Sequence, residues 1–229
     1  MEIGRIMNPQ TYTVARPAES ALETNKLIRN TYMLLSMTLL FSAFTAGLSM
    51  VFNFPHPGVL LTLVGYWGLL FLTTKLRNSA WGLLSVFALT GFMGLTLGPI
   101  ISAYTTMFSN GTQLVMLAMG GTGAIFLGLS GYALSSRKDF SFMGGFMFVG
   151  ILVAFLAGIA ALIFNIPALA LAVSAMFVLL MSGLILYQTS EMVHGYETNY
   201  IMATVTLYIS IYNLFTSLLH LLGAFSGEE

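Results

Sequence analysis

The chain has 229 residues, of which 57% are hydrophobic and 7% charged, against roughly a quarter charged in an ordinary soluble domain. That surface excludes a water-soluble fold, and with a formal net charge of zero nothing suggests nucleic acid, whose binding needs a strongly basic face. With no cysteine, disulfides, thiol chemistry and Cys-ligated metal sites are excluded too.

In chain order, residues 1–27 come first: a polar segment with both signs of charge and no apolar run. It is expected to be a mobile tail rather than a signal peptide. Residues 28–229 then carry seven apolar stretches. The spans drawn are Thr31 to Phe52, Pro57 to Thr74, Ala80 to Ile101, Gly111 to Leu134, Phe142 to Phe164, Ile166 to Tyr187 and Tyr200 to Leu222. Most reach the roughly 20 residues that cross about 30 Å of hydrocarbon. Helices are expected because lipid offers the backbone no hydrogen-bond partner. Pro57 suits the first turn of the second helix, and Asn165 and Pro167 suit the cap and first turn of the sixth. The predicted fold is thus an all-α bundle of seven transmembrane helices, with the lipid bilayer as its solvent.

The charges orient it. Arg5, Arg16, Lys26 and Arg29 precede the first span, Lys75 and Arg77 follow the second, and Arg137 and Lys138 follow the fourth. The remaining connections hold no Lys or Arg. The positive-inside bias therefore predicts a cytoplasmic N terminus and, after seven crossings, an outer C terminus.

Small residues four apart mark helix contacts: Gly94 and Gly98 in the third span, and Gly120, Ala124 and Gly128 in the fourth. Such spacing lets a neighbouring backbone approach closely, within the bundle as the first reading and between copies as the second. The 15 methionines read as gap fillers rather than metal ligands.

In the seventh span Thr206, Ser210, Asn213, Ser217 and His220 keep to one face, which must turn inward. Gln188, Glu191 and His194 end the sixth at intervals of three. Interhelical hydrogen bonding is the first reading of these two faces, and a polar cavity or ion path the second. No Asp, Glu, Lys or Arg lies deep in any span, whereas proton relays and coupled carriers usually keep one there. A tight intramembrane calcium site is also disfavoured, because calcium wants several oxygens with carboxylates among them.

Enzyme readings fare poorly. Gly128 to Gly131 spells the GxSG of intramembrane serine proteases, but Ser130 falls near the inner end of the fourth span and His220 near the outer end of the seventh, most of a bilayer apart. Asp139 is the only Asp, which leaves no aspartyl dyad, and the last span has no Lys for a retinal Schiff base. No cofactor or metal is expected.

Three runs, Gly91 to Ile100, Leu186 to Ser190 and Leu207 to Phe215, resemble the Bax inhibitor family of seven-helix membrane proteins. Leu27 to Tyr32, Ser136 to Ser141 and His194 to Tyr200 are similar to its bacterial branch of inner-membrane modulators of the AAA protease FtsH. The resemblance implies a Bax-inhibitor-like bundle in a bacterial inner membrane, with a periplasmic C terminus and an FtsH-type protease as partner. It also implies no enzymatic activity. On that reading the cytoplasmic tail, with Arg5, Arg16, Glu19 and Glu23, offers the protease a poor substrate and so inhibits it. Many family members place two acids at the positions of Gln188 and Ser210, forming a proton-sensitive pair linked to calcium leak. Both residues here are neutral. That departure weakens the alternative, a calcium or proton leak channel, and leaves a Gln188 to Ser210 hydrogen bond as the expected latch between the last two helices.

Overall fold

The computed structural model describes residues 17–226, with side chains from residue 21 onward. Seven α-helices follow one another: α1 (Pro17–Val51), α2 (Val59–Leu76), α3 (Trp81–Met107), α4 (Gly111–Ser136), α5 (Gly144–Ile163), α6 (Pro167–His194) and α7 (Tyr200–Ser226). A single 3-10 turn, Ser141–Met143, leads into α5. All seven are long and apolar enough to cross a membrane, and no strand occurs among the described residues.

The helices outrun several of the apolar windows that announce them. α1 begins at Pro17 rather than Thr31, and α6 continues to His194 rather than Tyr187. Hydropathy records only the hydrocarbon layer, whereas the backbone ladder continues wherever its own hydrogen bonds persist. At 1.5 Å per residue α1 extends about 52 Å, well beyond the roughly 30 Å of hydrocarbon. The expected boundary at residue 27 is therefore not a break in structure, since residues 17–27 belong to the same helix as the first span.

Two end signals also differ from expectation. α2 opens at Val59 behind Gly58 (φ 84°), so Pro57 lies outside its first turn. The residue capping α6 is Ile166; Asn165 instead takes φ 49° and closes the α5–α6 turn, while Pro167 opens the helix as expected. The α6–α7 link is the most fully specified connection. Gly195 adopts φ 76°, its N–H and that of Tyr196 return to Met192 and Glu191 carbonyls, and this geometry ends a helix where only glycine fits without strain. Asn199 then starts α7 by accepting hydrogen bonds from Ile201 and Met202 N–H, both at 3.0 Å.

α7 is the axis of the bundle. It contacts α1, α3, α4 and α6, while α2 packs on α3 and α5 packs on α6. Tyr208, Leu207, Leu214 and Leu219 of α7 are almost wholly buried. Only 6% of the apolar window of α2 is covered by the protein, against 44% of that of α7. The outer pair touch through the Trp67 and Phe155 rings, 6.4 Å apart and edge to face.

The tightest seam runs between α1 and α3. A methyl group added at Gly98 would lie 2.7 Å from the Ala46 carbonyl, and one at Gly94 would strike the Ser42 carbonyl and Thr45 hydroxyl. Glycine there brings backbone against backbone. The matching set in α4 behaves differently. Gly120, Ala124 and Gly128 are exposed, and added methyl groups at the two glycines meet nothing within 4 Å. The reading of that set as an intramolecular packing face is thus corrected. α4 contacts the bundle instead through Leu114, Val115, Ala118, Thr122 and Ser130, and Gly120 lies two residues, some 200° of helix, round from Ala118.

Candidate functional site

The connections that carry the basic residues converge at one end of the bundle. Asn199 Nδ2 donates to the Arg77 carbonyl (3.2 Å) and to Asn78 Oδ1 (2.8 Å), tying the α6–α7 link to the α2–α3 connection. Ser190 of α6 clamps the α4–α5 connection: its hydroxyl accepts Phe140 N–H at 2.9 Å and donates to the Lys138 carbonyl at 3.2 Å. His194 Nδ1 lies 2.9 Å from the Ser190 carbonyl, which can only accept, so the ring carries its proton there. The N-terminal half of α1 joins them, with Glu23, Lys26 and Asn30 facing Glu197 and Thr198 across a cavity of about 480 Å³. Lys26, Arg29, Lys75, Arg77, Arg137 and Lys138 are all at or near this basic end.

Asp139 organises the same surface. Its Oδ1 accepts Ser141 N–H at 2.8 Å where the chain turns into α5, and Tyr196 donates to its Oδ2 at 3.4 Å. The Ser141 hydrogen bonds hold its carboxyl below the usual carboxylate range. Glu191 is half-buried on the last turn of α6.

Deeper in the bundle, tyrosine hydroxyls bind the helices together. Tyr208 of α7 shares a 2.6 Å hydrogen bond with Ser42 of α1 and donates to the Thr90 carbonyl of α3 at 3.3 Å. Tyr212 lies 3.3 Å from the Thr96 hydroxyl of α3. Tyr32 of α1 donates to Ser130 of α4 at 2.9 Å, and Ser130 in turn lies 3.2 Å from Thr189 of α6. Ser130 is thus held between two hydroxyl groups, neither of which is a base for nucleophilic catalysis.

The polar residues that the sequence pattern picks out fall in this interior, but not as one network. Gln188 is buried and its Nε2 has no hydrogen-bond partner. Ser210, also buried, donates to the Thr206 carbonyl one turn back at 2.8 Å. The expected Gln188 to Ser210 latch is not formed. Thr206 and Asn213 are half-buried, and Asn213 returns its amide to the Ile209 carbonyl at 2.9 Å. Ser217 is buried, and His220 bonds across to Ser174 of α6 at 2.7 Å. Ser and Asn on a helix readily satisfy themselves on their own backbone, which is why a polar stripe need not become an interhelical one. Arg5 and Arg16 lie outside the described residues. Glu19 lies in α1 with its side chain outside them, and Glu23 is exposed on α1. Among the described residues no three His, Asp or Glu side chains gather as a metal site would require.

Tyr32, Tyr208 and Tyr212 are joints that the polar pattern does not include. A signal for them exists in the sequence, since tyrosine is normally a residue of the membrane interface, and Tyr208 and Tyr212, four apart, lie well inside the last span.

Residues 24–227 match the family model described as "Inhibitor of apoptosis-promoting Bax1". The chain is 50% identical to "Modulator of FtsH protease YccA" of Escherichia coli strain K12, over 91% of its length and 94% of that protein. The same figures relate it to "Inner membrane protein YccA" of Escherichia coli O6:H1. It is also 32% identical to "Protein lifeguard 4" of Mus musculus, over 86% of this chain and 84% of the mouse protein. With seven membrane-length helices carrying the match almost from end to end, the chain belongs to the Bax inhibitor family as a multi-pass protein of the inner membrane.

Proposed function

We propose that this protein modulates a membrane-anchored AAA protease of the FtsH type, engaging it on the cytoplasmic side through its N-terminal segment. The observation that carries this reading is the 50% identity, over 91% of the chain, to a protein named as a modulator of FtsH. The architecture supports the manner. A machine that draws its substrates in from one end needs a handle on that side, and the basic end is the cytoplasmic one by the positive-inside bias. The handle is residues 1–23, continuous with α1 from Pro17 onward. Behind it stands the glycine-lined α1–α3 seam, which resists extraction. A protease held on such a substrate is slowed on others. The leak-channel reading has less to support it, since the positions of its acid pair hold Gln188 and Ser210, neither of which titrates.

Purified FtsH-type protease and a slowly degraded membrane substrate, reconstituted together, supply the test. Full-length protein is expected to slow degradation and to copurify with the protease from detergent. Removing residues 1–23 is expected to abolish both effects while the bundle stays folded. Undiminished inhibition by the truncated form overturns the tail as the handle, and no inhibition by the full chain overturns modulation itself.

A further inference from the structure

α1 and α4 both pack on α3, α6 and α7, yet they are not a packed pair themselves. They meet toward the basic end, where the Tyr32 hydroxyl donates to Ser130 at 2.9 Å and the Tyr32 and Phe126 rings lie 6.1 Å apart. Beyond that joint the two helices leave a slot of about 440 Å³ between them. Its floor is α7, through Tyr208, Tyr212 and Phe215, and α3 adds Leu97 and Ile101. Ala43 and Gly47 of α1 and Met119 of α4 line it and are exposed, so it opens sideways onto lipid. Glycines widen the mouth: a methyl added at Gly47 or at Gly123 meets nothing within 4 Å.

The lining decides what can enter. Ser42, Thr122, Tyr208 and Tyr212 bring hydroxyls to it, and each has its proton committed. Tyr208 donates to the Thr90 carbonyl, which can only accept, so Ser42 donates to Tyr208. Thr96 spends its proton on the Met93 carbonyl, so Tyr212 donates to Thr96, and Thr122 donates to the Ala118 carbonyl. No donor is left for a polar ligand, and no charged residue lines the slot. Water finds too few partners in such walls and stays out, whereas an unfilled slot forfeits the dispersion contacts of its lining. What remains is hydrocarbon.

Depth selects its source. Along α1 the lining runs from Leu39 to Met50, about 17 Å, close to the roughly 15 Å that one leaflet contributes to a 30 Å core. Counted from Thr31, where the apolar span opens, the slot extends from about 12 Å to about 29 Å deep. It therefore starts near the midplane and ends at the surface away from the basic connections.

We propose that this slot binds one acyl chain of a glycerophospholipid from the leaflet away from the basic connections. The headgroup stays among its neighbours, and the acyl chain completes the bundle by filling the space between α1 and α4. This site is independent of the protease reading, because neither its lining nor its test involves the tail.

Photocrosslinking of the full-length protein, in liposomes containing a phosphatidylcholine with a diazirine midway along one acyl chain, supplies the test. Bulk lipid reaches α2 freely, but it reaches Tyr208 and Phe215, both buried, only through the slot. Label is therefore expected on α2 and on the Tyr208 to Phe215 floor alike. Gly47→Phe and Gly123→Phe each fill the slot, and are expected to lose the floor label while α2 keeps its own. Gly128→Phe, on the open face of α4, is expected to change nothing. Label on α2 alone in the unaltered protein overturns the site, as does floor label that persists in every folded slot variant. If neither slot variant folds, the floor of the unaltered protein decides. Loss of the floor label to an equimolar free fatty acid overturns the glycerophospholipid as its source.

Discussion

Gly94 and Gly98 in α3, and Gly120 and Gly128 in α4, carry the same kind of spacing and meet opposite fates. The α3 pair is pressed against the α1 backbone, whereas the α4 pair faces away from the bundle. Spacing creates the possibility of close approach, but the rest of the helix decides whether it is used. In α3 the glycines share a face with Gly91 and Thr90, both buried, whereas in α4 the buried positions lie round the helix from Gly120 and Gly128.

The most direct way to break this comparison is Gly94→Ala. Its new methyl meets the Ser42 carbonyl, which cannot rotate away, and the substitution is expected to cost about 1–3 kcal/mol in denaturant unfolding in bicelles. A loss no larger than that of Gly128→Ala removes the distinction between the two faces. Gln188→Met tests whether polar satisfaction matters as much as fit. It deletes a buried N–H₂ with no partner and is expected to raise stability by about 1 kcal/mol. A fall would give the amide a role that the hydrogen bonding does not reveal. Tyr208→Phe removes the hydroxyl that joins α1 and α3 to α7, for an expected loss of about 0.6 kcal/mol, the usual worth of such bonds in membranes. Gly128→Ala on the open face should change stability by no more than about 0.5 kcal/mol in either direction.

The smallest effect expected is electrostatic and lies where α4 hands over to α5. The Asp139 carboxyl is held below its unfolded value by the hydrogen bonds from Ser141. Its stabilisation is therefore present above the ordinary carboxylate range and is lost as pH falls through the folded value. Asp139→Asn should flatten the acid limb of stability against pH by slightly lowering the neutral plateau, with the acid end nearly untouched, as thermal melts across that range would register.

The seven spans are legible in the sequence because hydrocarbon imposes one length and one composition on each of them. Helix ends beyond the hydrocarbon are not, since nothing in hydropathy says that α1 continues back to Pro17 or α6 on to His194. Gathering of the basic connections at one end is legible from Lys75, Arg77, Arg137 and Lys138. The interior is harder to read. Ser210 and Asn213 share a face, as their spacing requires, but spend their hydrogen bonds within α7. The joints between helices are made by tyrosines, which hydropathy counts as apolar. A one-dimensional pattern states which side of a helix a hydroxyl occupies; whether a partner waits there depends on the neighbour's rotation, which no single span encodes.

The unbroken course of α1 has a mechanical meaning. A pull applied near Pro17 along the helix axis is transmitted as tension directly to the α1–α3 seam, with no loop to absorb it. The load arrives parallel to the interface, so its contacts are strained together in shear instead of being peeled one after another. A motor drawing on this end must rupture the whole seam, with the Ser42 to Tyr208 joint, in a single event.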